Sequence, residues 1–493
     1  MRQAGASLAM GSADGEDMAR KILVQPGKES ETKVPIYGAG VLGMQENTAT
    51  TTTKRALTEL TAIEAADRVA AGDISSEELT GACLDRIAQV EDGVHAFIHL
   101  DPDAALAQAR ALDERRRKGE PLGALHGVPV AIKDIFDTKD YPAESGWALR
   151  KGRRPAQDAG SVARLRAAGA VIIGKSVTTE CAYFHPGATR NPHDLERTPG
   201  GSSSGSAAAV AAHMVPLSIG SQTNGSVIRP ASFCGVYGFK PTHGTISRAR
   251  TMVLSHALDH VGFFARSVAD CALMLDVLAG YDAEDPDSRA FAAPGFRAIA
   301  RQTPVSAPNF AFVRTPVWDK ADADARAALE QFVKRLGNAA RPVDLPDWFA
   351  DAWPDHRIVM STDMAHNLGP EAERGEEGSS KQLRDMLAEG SQTTAVRYLT
   401  ARSNARRYAA GLTEILEDCD AIVTLSAPGI APKGMATGNP VFNSLWTLTG
   451  LPAITLPLLK GEAGLPLGVQ LIGKTGDDAR LLRTANWLAA KAA

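Results

Sequence analysis

The sequence of 493 residues predicts a layered α/β fold built around a mixed or mostly parallel β-sheet. Short runs rich in β-branched residues alternate along the chain with longer stretches of helical periodicity, and this alternation is typical of strands covered by helices. The sequence contains neither an internal repeat nor a proline-rich linker, so we expect a single domain over residues 55–493.

The individual elements follow from the spacing of the apolar residues. Residues 60–90 fit two helices, and Ser75 and Ser76 open the second with a capping pattern. Six further helices are predicted, at 160–168, 206–213, 267–279, 322–336, 395–417 and 477–491. Seven strands are predicted, at 128–132, 170–174, 215–220, 310–313, 421–425, 453–458 and 468–473.

Composition and charge argue against several classes of function. The 53 basic residues nearly balance the 57 acidic ones, so neither a nucleic-acid surface nor a polybasic membrane patch is expected. The five cysteines are scattered and never spaced as C-x-x-C, which favours a reducing compartment over disulfides or a zinc knuckle. Because no run approaches the ~18 apolar residues of a membrane span, and no secretory signal is evident, we expect a cytoplasmic protein.

Two segments differ from the rest of the chain. Residues 1–54 are polar and aperiodic, and they are predicted to form a disordered leader. Residues 340–400 are more charged and less regularly patterned than their surroundings, and they are predicted to carry a lid or a substrate-side insertion within the single domain.

Two motifs match known signatures without the context that those signatures need. The run YGAGVLG at 37–43 fits G-x-G-x-x-G, but the polar segment after it is a poor helix, which argues against a dinucleotide site. The run VAIK at 130–133 resembles the strand lysine of protein kinases, yet the H-R-D and D-F-G segments are missing. Lys133 still needs explaining, because a lysine at the end of an apolar strand is unusual.

A further candidate site surrounds the glycine–serine run TPGGSSSGSAAAVAAHM at 198–214. The run lacks the G-K-[ST] ending of a phosphate loop, and a helix and a buried strand lead from it into a second glycine–serine turn near residue 225. A serine becomes a nucleophile when a base takes its proton, and no histidine here lies in a suitable motif. A buried lysine can serve instead, because desolvation favours the neutral amine, and Lys133 has the right placement.

These residues resemble the amidase signature family of serine hydrolases. The resemblance rests on GGSSSGSAAAVAA, GSVIRPASFCGVYGFKPTHG, GVPVAIKD and GLPLGVQLIG, and it extends from about residue 57 to the C-terminus in the family's order. It implies the amidase-signature fold, a large twisted sheet, mixed and mostly parallel, with helices on both faces.

The resemblance also implies a Ser–Ser–Lys triad without metal or cofactor. Lys133 would be the base, Ser202 the proton relay on a cis peptide, and Ser226 the nucleophile that forms an acyl-enzyme. The oxyanion would be held by the backbone N–H groups of Thr223, Asn224, Gly225 and Ser226.

Further residues are expected to support the catalytic loops. Gly200, Gly201 and Ser203 would shape the loop before Ser202, together with Ser204 unless that residue is simply solvated. Arg229 would brace the loop by bonding carbonyls, with a substrate carboxylate as the alternative partner. The sequence departs from the family pattern in two places. Asn224 stands where relatives have glycine, and asparagine is a residue that tolerates a positive φ. Gln222 stands where relatives often have an acidic residue.

The resemblance leaves the substrate open. Six residues are candidates for a pocket that favours aryl groups, with core packing as the alternative: Trp147, Tyr183, Phe184, His185, Phe442 and Trp446. We expect hydrolysis of a small-molecule amide or carbamate by a monomer or homodimer, without nucleic acid or membrane. The alternatives are a catalytic A-type subunit of a tRNA-dependent amidotransferase, which needs partner subunits, and a non-catalytic binding scaffold.

Overall fold

An eleven-stranded mixed β-sheet forms the centre of the protein in a computed structural model that describes residues 56–492. The strand order is β1-β3-β2-β4-β6-β5-β10-β11-β9-β7-β8. The strands are Phe97–Leu100 (β1), Pro129–Lys133 (β2), Val171–Ser176 (β3), Leu217–Gln222 (β4), Tyr237–Lys240 (β5), His260–Ala265 (β6), Phe310–Arg314 (β7), Ala340–Asp344 (β8), Ala421–Leu425 (β9), Ala453–Lys460 (β10) and Pro466–Ile472 (β11).

Helices flank the sheet. The α-helices are Ala62–Ala71 (α1), Ser76–Val94 (α2), Pro102–Arg117 (α3), Gly160–Ala167 (α4), Ser204–Ala211 (α5), Ile228–Cys234 (α6), Val268–Leu278 (α7), Phe296–Ala300 (α8), Ala323–Leu336 (α9), Ala352–Ala372 (α10), Lys381–Ser391 (α11), Ala395–Glu417 (α12), Ser444–Leu448 (α13) and Asp478–Ala492 (α14). Short 3-10 helices occupy Leu57–Glu59, Ala148–Arg150, Glu180–Ala182, Trp318–Lys320, Gly337–Ala339, Asp347–Asp351, Glu376–Gly378 and Glu462–Gly464. Within the described range, no helix is both long enough and apolar enough to cross a membrane.

The α/β class and the mixed sheet are confirmed, but the predominance of parallel strands is not. Strand β2 pairs in parallel with β3 and β4, and β7 pairs in parallel with β8 and β9. The other six pairings are antiparallel. Four of these pairings involve β1, β5 or β6, which were not predicted. For the other two, apolar periodicity does not give the direction in which strands pair.

The predicted elements are present with ends shifted by about two residues, except that the helix predicted to end near residue 90 continues to Val94. The capping pattern predicted at Ser75 is confirmed, since its side chain accepts from the Glu78 N–H and the Glu78 carboxylate accepts from the Ser75 N–H. The leader at 1–54 and the run at 37–43 lie outside the described residues, and the single-domain boundaries stay a prediction.

The parallel pair β2 and β4 determines where the candidate site lies. Carboxyl ends of parallel strands meet at one edge of a sheet, and β2 ends at Lys133 while β4 ends at Gln222. The apolar residues of both strands are buried on both faces. A polar site is therefore assembled at the edge of an apolar core.

Candidate active site

Lys133 is fully buried, and among the described residues its amine has hydroxyl partners only. Its Nζ lies 2.8 Å from Oγ of Ser202 and 2.8 Å from Oγ of Ser221. No carboxylate within the described residues forms an ion pair with it. Burial lowers the pKa of Lys133 well below its ordinary value of 10.5, and the more distant Asp259 carboxylate opposes this only in part. The neutral amine is thus accessible as a proton acceptor.

The loop before α5 presents Ser202 to the lysine. The peptide between Gly201 and Ser202 is cis. Gly200 has a φ of 82°, and a Cβ there would lie 2.8 Å from Cα of Pro230, so only glycine fits this turn. The Gly201 carbonyl accepts a 2.6 Å hydrogen bond from Nη2 of Arg229.

The next two serines tie this loop to neighbouring strands. Ser203 Oγ donates to the Ser221 carbonyl at 3.2 Å and accepts from the Ser221 N–H at 3.3 Å. Ser204 is also buried, and its hydroxyl donates to the Val177 carbonyl at 3.3 Å, so it is not a solvated loop residue.

The second loop, residues 223–226, joins β4 to α6 and offers free backbone donors. Within the described part of the chain, the N–H groups of Thr223, Asn224, Gly225 and Ser226 donate to no acceptor. Gln222 shapes the loop from within, because its Oε1 accepts from the N–H groups of Val227 at 2.9 Å and Ile228 at 3.0 Å. The loop therefore curls around a side-chain amide and leaves its own N–H groups for a ligand oxygen.

Asn224 replaces the glycine of relatives without adopting a positive φ. It is not among the described residues with left-handed backbone, so the sequence-based expectation that asparagine would be needed for a positive φ does not apply. Its Oδ1 accepts from Oγ of Ser444 at 2.8 Å, which anchors the side chain to α13. Its neighbour Gly225 packs directly against Asn443, and any side chain there would collide with that amide.

Two buried groups hold the loop from behind. Asp259 accepts from Oγ1 of Thr223 at 2.6 Å and from two backbone N–H groups, at Leu254 and Ser255. His356 of α10 lies with Nε2 3.0 Å from the Thr223 carbonyl. Burial lowers the pKa of His356 to about 4, so at neutral pH the uncharged ring donates from Nε2. The segment 340–400 thus contacts the loop at 223–226; its role as a lid stays a prediction.

Ser226 opens into a small cavity next to this loop. Its hydroxyl makes no hydrogen bond to another described residue, so the structure does not join it to Ser202. The cavity has a volume of about 20 Å³, room for about one water molecule, and a larger ligand must displace a flexible side chain such as Met360. The residues that line it are Ala182, Tyr183, Phe184, Thr223, Asn224, Ser226, Arg229, Leu254, Met360 and Pro440.

Two of the six predicted pocket residues lie at this cavity. Tyr183 and Phe184 line it, with ring centroids 4.8 Å apart in an edge-to-face arrangement. The other four are placed elsewhere: Trp147, Phe442 and Trp446 are buried in the core, and His185 is exposed and contacts Gln382.

Comparison with known proteins shows the family of the chain. A model of the amidase family matches residues 78–482. The chain belongs to the amidase family. Amidase-family enzymes hydrolyse C–N bonds, and that general activity applies to this chain.

Proteins similar to this chain have different named activities. The A-type subunit of the glutamyl-tRNA(Gln) amidotransferase of Salinispora arenicola is 36% identical over 476 residues, covering 87% of this chain and 96% of that relative. Among solved structures, the peptide amidase of Stenotrophomonas maltophilia is 29% identical with a TM-score of 0.78, covering 88% of this chain and 97% of its own. A 6-aminohexanoate cyclic dimer hydrolase is 28% identical with a TM-score of 0.79, with the same coverage.

Several residues of this amidase site were not predicted from the sequence. Ser221 was missed because it lies within a strand, where a hydroxyl usually bonds to the backbone. The role of Gln222 was left open because the family pattern has an acid there. Asp259 and His356 lie 36 and 133 residues from their partner Thr223, and nothing in their local sequence marks them.

Proposed function

We propose that this amidase hydrolyses an amide or carbamate through a covalent acyl-enzyme on Ser226. The observation that carries the proposal is the setting of Lys133, a buried amine without an ion-pair partner among the described residues, 2.8 Å from the Ser202 hydroxyl. Such an amine is a competent general base at moderate pH because burial favours its neutral form.

Acylation transfers protons along the three side chains. Neutral Lys133 takes the proton of Ser202, which takes the proton of Ser226 as the Ser226 oxygen bonds to the carbonyl carbon. The carbonyl oxygen becomes an oxyanion, which the free N–H groups of residues 223–226 stabilise. When the C–N bond breaks, Ser202 protonates the leaving nitrogen and regains its own proton from Lys133.

Deacylation repeats the route with water as the nucleophile. Ser202 takes a proton from the attacking water, with Lys133 again as the base, and the hydroxide oxygen bonds to the acyl carbon. Breakdown of the second oxyanion returns a proton to Ser226 and releases the carboxylic acid. For a carbamate, the released acid is a carbamic acid or a carbonate monoester, depending on which bond is cleaved.

Replacing the nucleophile tests this proposal. In Ser226→Ala, kcat should fall on the order of 10⁶-fold, while the unfolding midpoint should stay unchanged because the hydroxyl makes no hydrogen bond to the described residues. Mass spectrometry after mixing with an activated ester should show an acyl adduct on the wild type only. An adduct of equal yield on Ser226→Ala would refute the assignment.

The aryl preference that we propose is the one first expected, but it rests on fewer residues. Two aromatic residues, Tyr183 and Phe184, lie at the cavity and support a preference for aryl leaving groups by stacking. We expect kcat/KM for an anilide or N-aryl carbamate to exceed that for propionamide. An aliphatic amide that is better by tenfold would refute the aryl preference without affecting the hydrolase proposal.

An amidotransferase component is the second candidate. It is supported by the relative from Salinispora arenicola, whose length the match covers almost fully. Such a component would need partner subunits and would pass nitrogen to a tRNA-borne group. Purified alone, a free-standing hydrolase should turn over a simple anilide at full rate, whereas an amidotransferase component should gain activity when its partners are added.

A further inference from the structure

One face of helix α10 lies against two walls of the small cavity in the candidate site. Three residues share this face, because they are spaced i, i+4 and i+11: His356, Met360 and Asn367. His356 Nε2 lies 3.0 Å from the Thr223 carbonyl. Asn367 Nδ2 donates to the Leu254 carbonyl, also at 3.0 Å. Since Thr223 and Leu254 both line the cavity, the helix backbone is fixed to its walls on either side of Met360.

Met360 is the member of this face whose side chain enters the cavity. It is 5% exposed, and the space that it helps to enclose has a volume of about 20 Å³. Such a space holds about one water molecule. An unbranched thioether has three rotatable bonds and adapts its shape to its neighbours. Met360 therefore closes the cavity with a side chain that can yield to a ligand.

The other walls of the cavity have less freedom. Hydrogen bonds hold three of them: Thr223, Asn224 and Arg229. Ala182 and Pro440 have no freely rotating side chain, and the rings of Tyr183 and Phe184 pack edge-to-face against each other. A ligand larger than a water molecule therefore gains most of its room by moving Met360.

The position of the proton relay indicates which part of a substrate would meet Met360. In the proposed mechanism Ser202 protonates the leaving nitrogen, and neither Ser202 nor Lys133 lines the cavity. The leaving group would therefore lie outside the cavity, on the side of the Ser202 hydroxyl. The acyl chain bonded to Ser226 would extend into the cavity toward Met360, while the two half-buried rings beside it would stay open to an aryl leaving group.

We propose that Met360 determines the acyl specificity of this enzyme and restricts it to amides of short-chain acids such as acetic acid. This inference rests on the proposed function and deepens it by naming the substrate class. An acetyl group carries only a methyl group beyond the carbonyl, and a methyl group is about the size of the water molecule that the cavity holds. A longer acyl chain must push Met360 out of its packed position, and overpacking a close-packed site is unfavourable.

A series of p-nitroanilides with acetyl, butyryl and hexanoyl groups tests the preference on the unmodified enzyme. We expect kcat/KM to fall along the series, by about tenfold or more from acetyl to hexanoyl, the size of a typical overpacking penalty. In Met360→Ala the hexanoyl anilide should gain by a similar factor and the order should reverse. A wild-type enzyme that prefers the hexanoyl anilide, or an order unchanged in Met360→Ala, would overturn the proposal.

Two further variants separate specificity from packing. Met364 lies one turn further along α10, is fully buried and does not line the cavity. Met364→Ala should therefore lose stability as Met360→Ala does, yet keep the wild-type order of the anilides. Met360→Val removes less of the side chain, and it should give an intermediate ratio even if Met360→Ala folds poorly. A reversed order in Met364→Ala would show that a loosened helix causes the effect, and would contradict the proposal.

Ligand binding gives the same comparison without turnover. Hexanoate should raise the unfolding midpoint of Met360→Ala more than that of the wild type, while acetate should shift both midpoints equally. Equal shifts with hexanoate would overturn the proposal. Absence of turnover with all three anilides would instead refute the proposed hydrolase function, and the hexanoate comparison would still decide the role of Met360.

Discussion

Two buried lysines on adjacent parallel strands have opposite surroundings. Lys133 ends β2 and Lys175 lies in β3, where it pairs with Ile132, and both side chains are fully buried. Lys175 forms a 3.0 Å ion pair with Asp134 and donates to two backbone carbonyls. Lys133 has two serine hydroxyls instead.

The difference distinguishes a lysine with a compensated charge from the lysine that we propose as the general base. Burial lowers the pKa of both, but at Lys175 the bonded Asp134 carboxylate opposes the shift, whereas Lys133 receives only the distant influence of Asp259. A compensated ammonium stays charged, and its removal leaves the partner carboxylate buried and unpaired. An uncompensated one tends to the neutral amine, and a neutral amine accepts protons.

Replacing each lysine by methionine should give the largest effects, a loss of activity in one variant and a loss of stability in the other. In Lys133→Met, kcat/KM should fall by about 10³-fold or more because the general base is lost, while the protein folds normally. In Lys175→Met, the free energy of unfolding should drop by about 3–5 kcal/mol because Asp134 stays buried without a partner. Steady-state kinetics and urea denaturation measure the two effects.

The control is to measure the activity of Lys175→Met, the variant in which we expect a loss of stability. Activity per folded molecule should change less than about tenfold in Lys175→Met, the effect of strain at a neighbouring strand. If Lys175→Met lost activity as completely as Lys133→Met, the two lysines would share one role and the comparison would fail.

The pH profile should show the chemical lysine directly. Only the neutral amine acts as base, so log kcat/KM should rise by one for each pH unit below the pKa of Lys133 and level off above it. Because burial lowers that pKa, the plateau should begin well below 10.5. A midpoint at the ordinary lysine value would show that Lys133 is not desolvated in solution.

The sequence predicted which residues lie at this site better than it predicted the contacts around them. Lys133, Ser202 and the loop at 223–226 were predicted from short motifs, because catalytic turns need particular residues at fixed spacing. The same motifs could not reveal that Ser221 is the second partner of the lysine, or that His356 holds the loop from α10. Such contacts depend on which segments pack together, and local periodicity carries no information about that.

The pocket was predicted least well for a related reason. Aromatic residues were assigned to it by type, yet Trp147 and Trp446 are buried in the core. A large aromatic side chain gains as much from core packing as from lining a cleft. Arg229 carried the better signal, because it was expected to bond loop carbonyls and its Nη2 donates to the Gly201 carbonyl.

Removing the second hydroxyl on Lys133 should have a moderate effect of a distinctive kind. Ser221 accepts a hydrogen bond from the Lys133 amine. This bond orients the lone pair of the amine toward Ser202. In Ser221→Ala the kcat plateau should fall about tenfold, within the range for one hydrogen bond to a charged or polarised group. The acidic limb should also move to lower pH, since the lost acceptor favoured the ammonium.

Ser218→Ala is the matched control for that variant. Ser218 lies on the same strand and donates to the Ser206 carbonyl at 2.7 Å, away from the lysine. It should cost stability of about 1 kcal/mol and leave the limb in place. A limb that shifts equally in both variants would mean that the strand, not the hydroxyl, sets the behaviour of Lys133.

The last expected effect is on the pH dependence of stability. Lys133 has a lower pKa folded than unfolded, so between those two values the unfolded chain binds more protons and the free energy of unfolding rises with pH. Lys133→Met lacks this dependence. It should be more stable than the wild type at pH 7, by about 1.4 kcal/mol for each unit of pKa difference, and the gap should close as the pH approaches 10.5. Urea denaturation at intervals from pH 7 to 10 measures the gap, and a gap that stayed constant would show that Lys133 is charged in the folded enzyme.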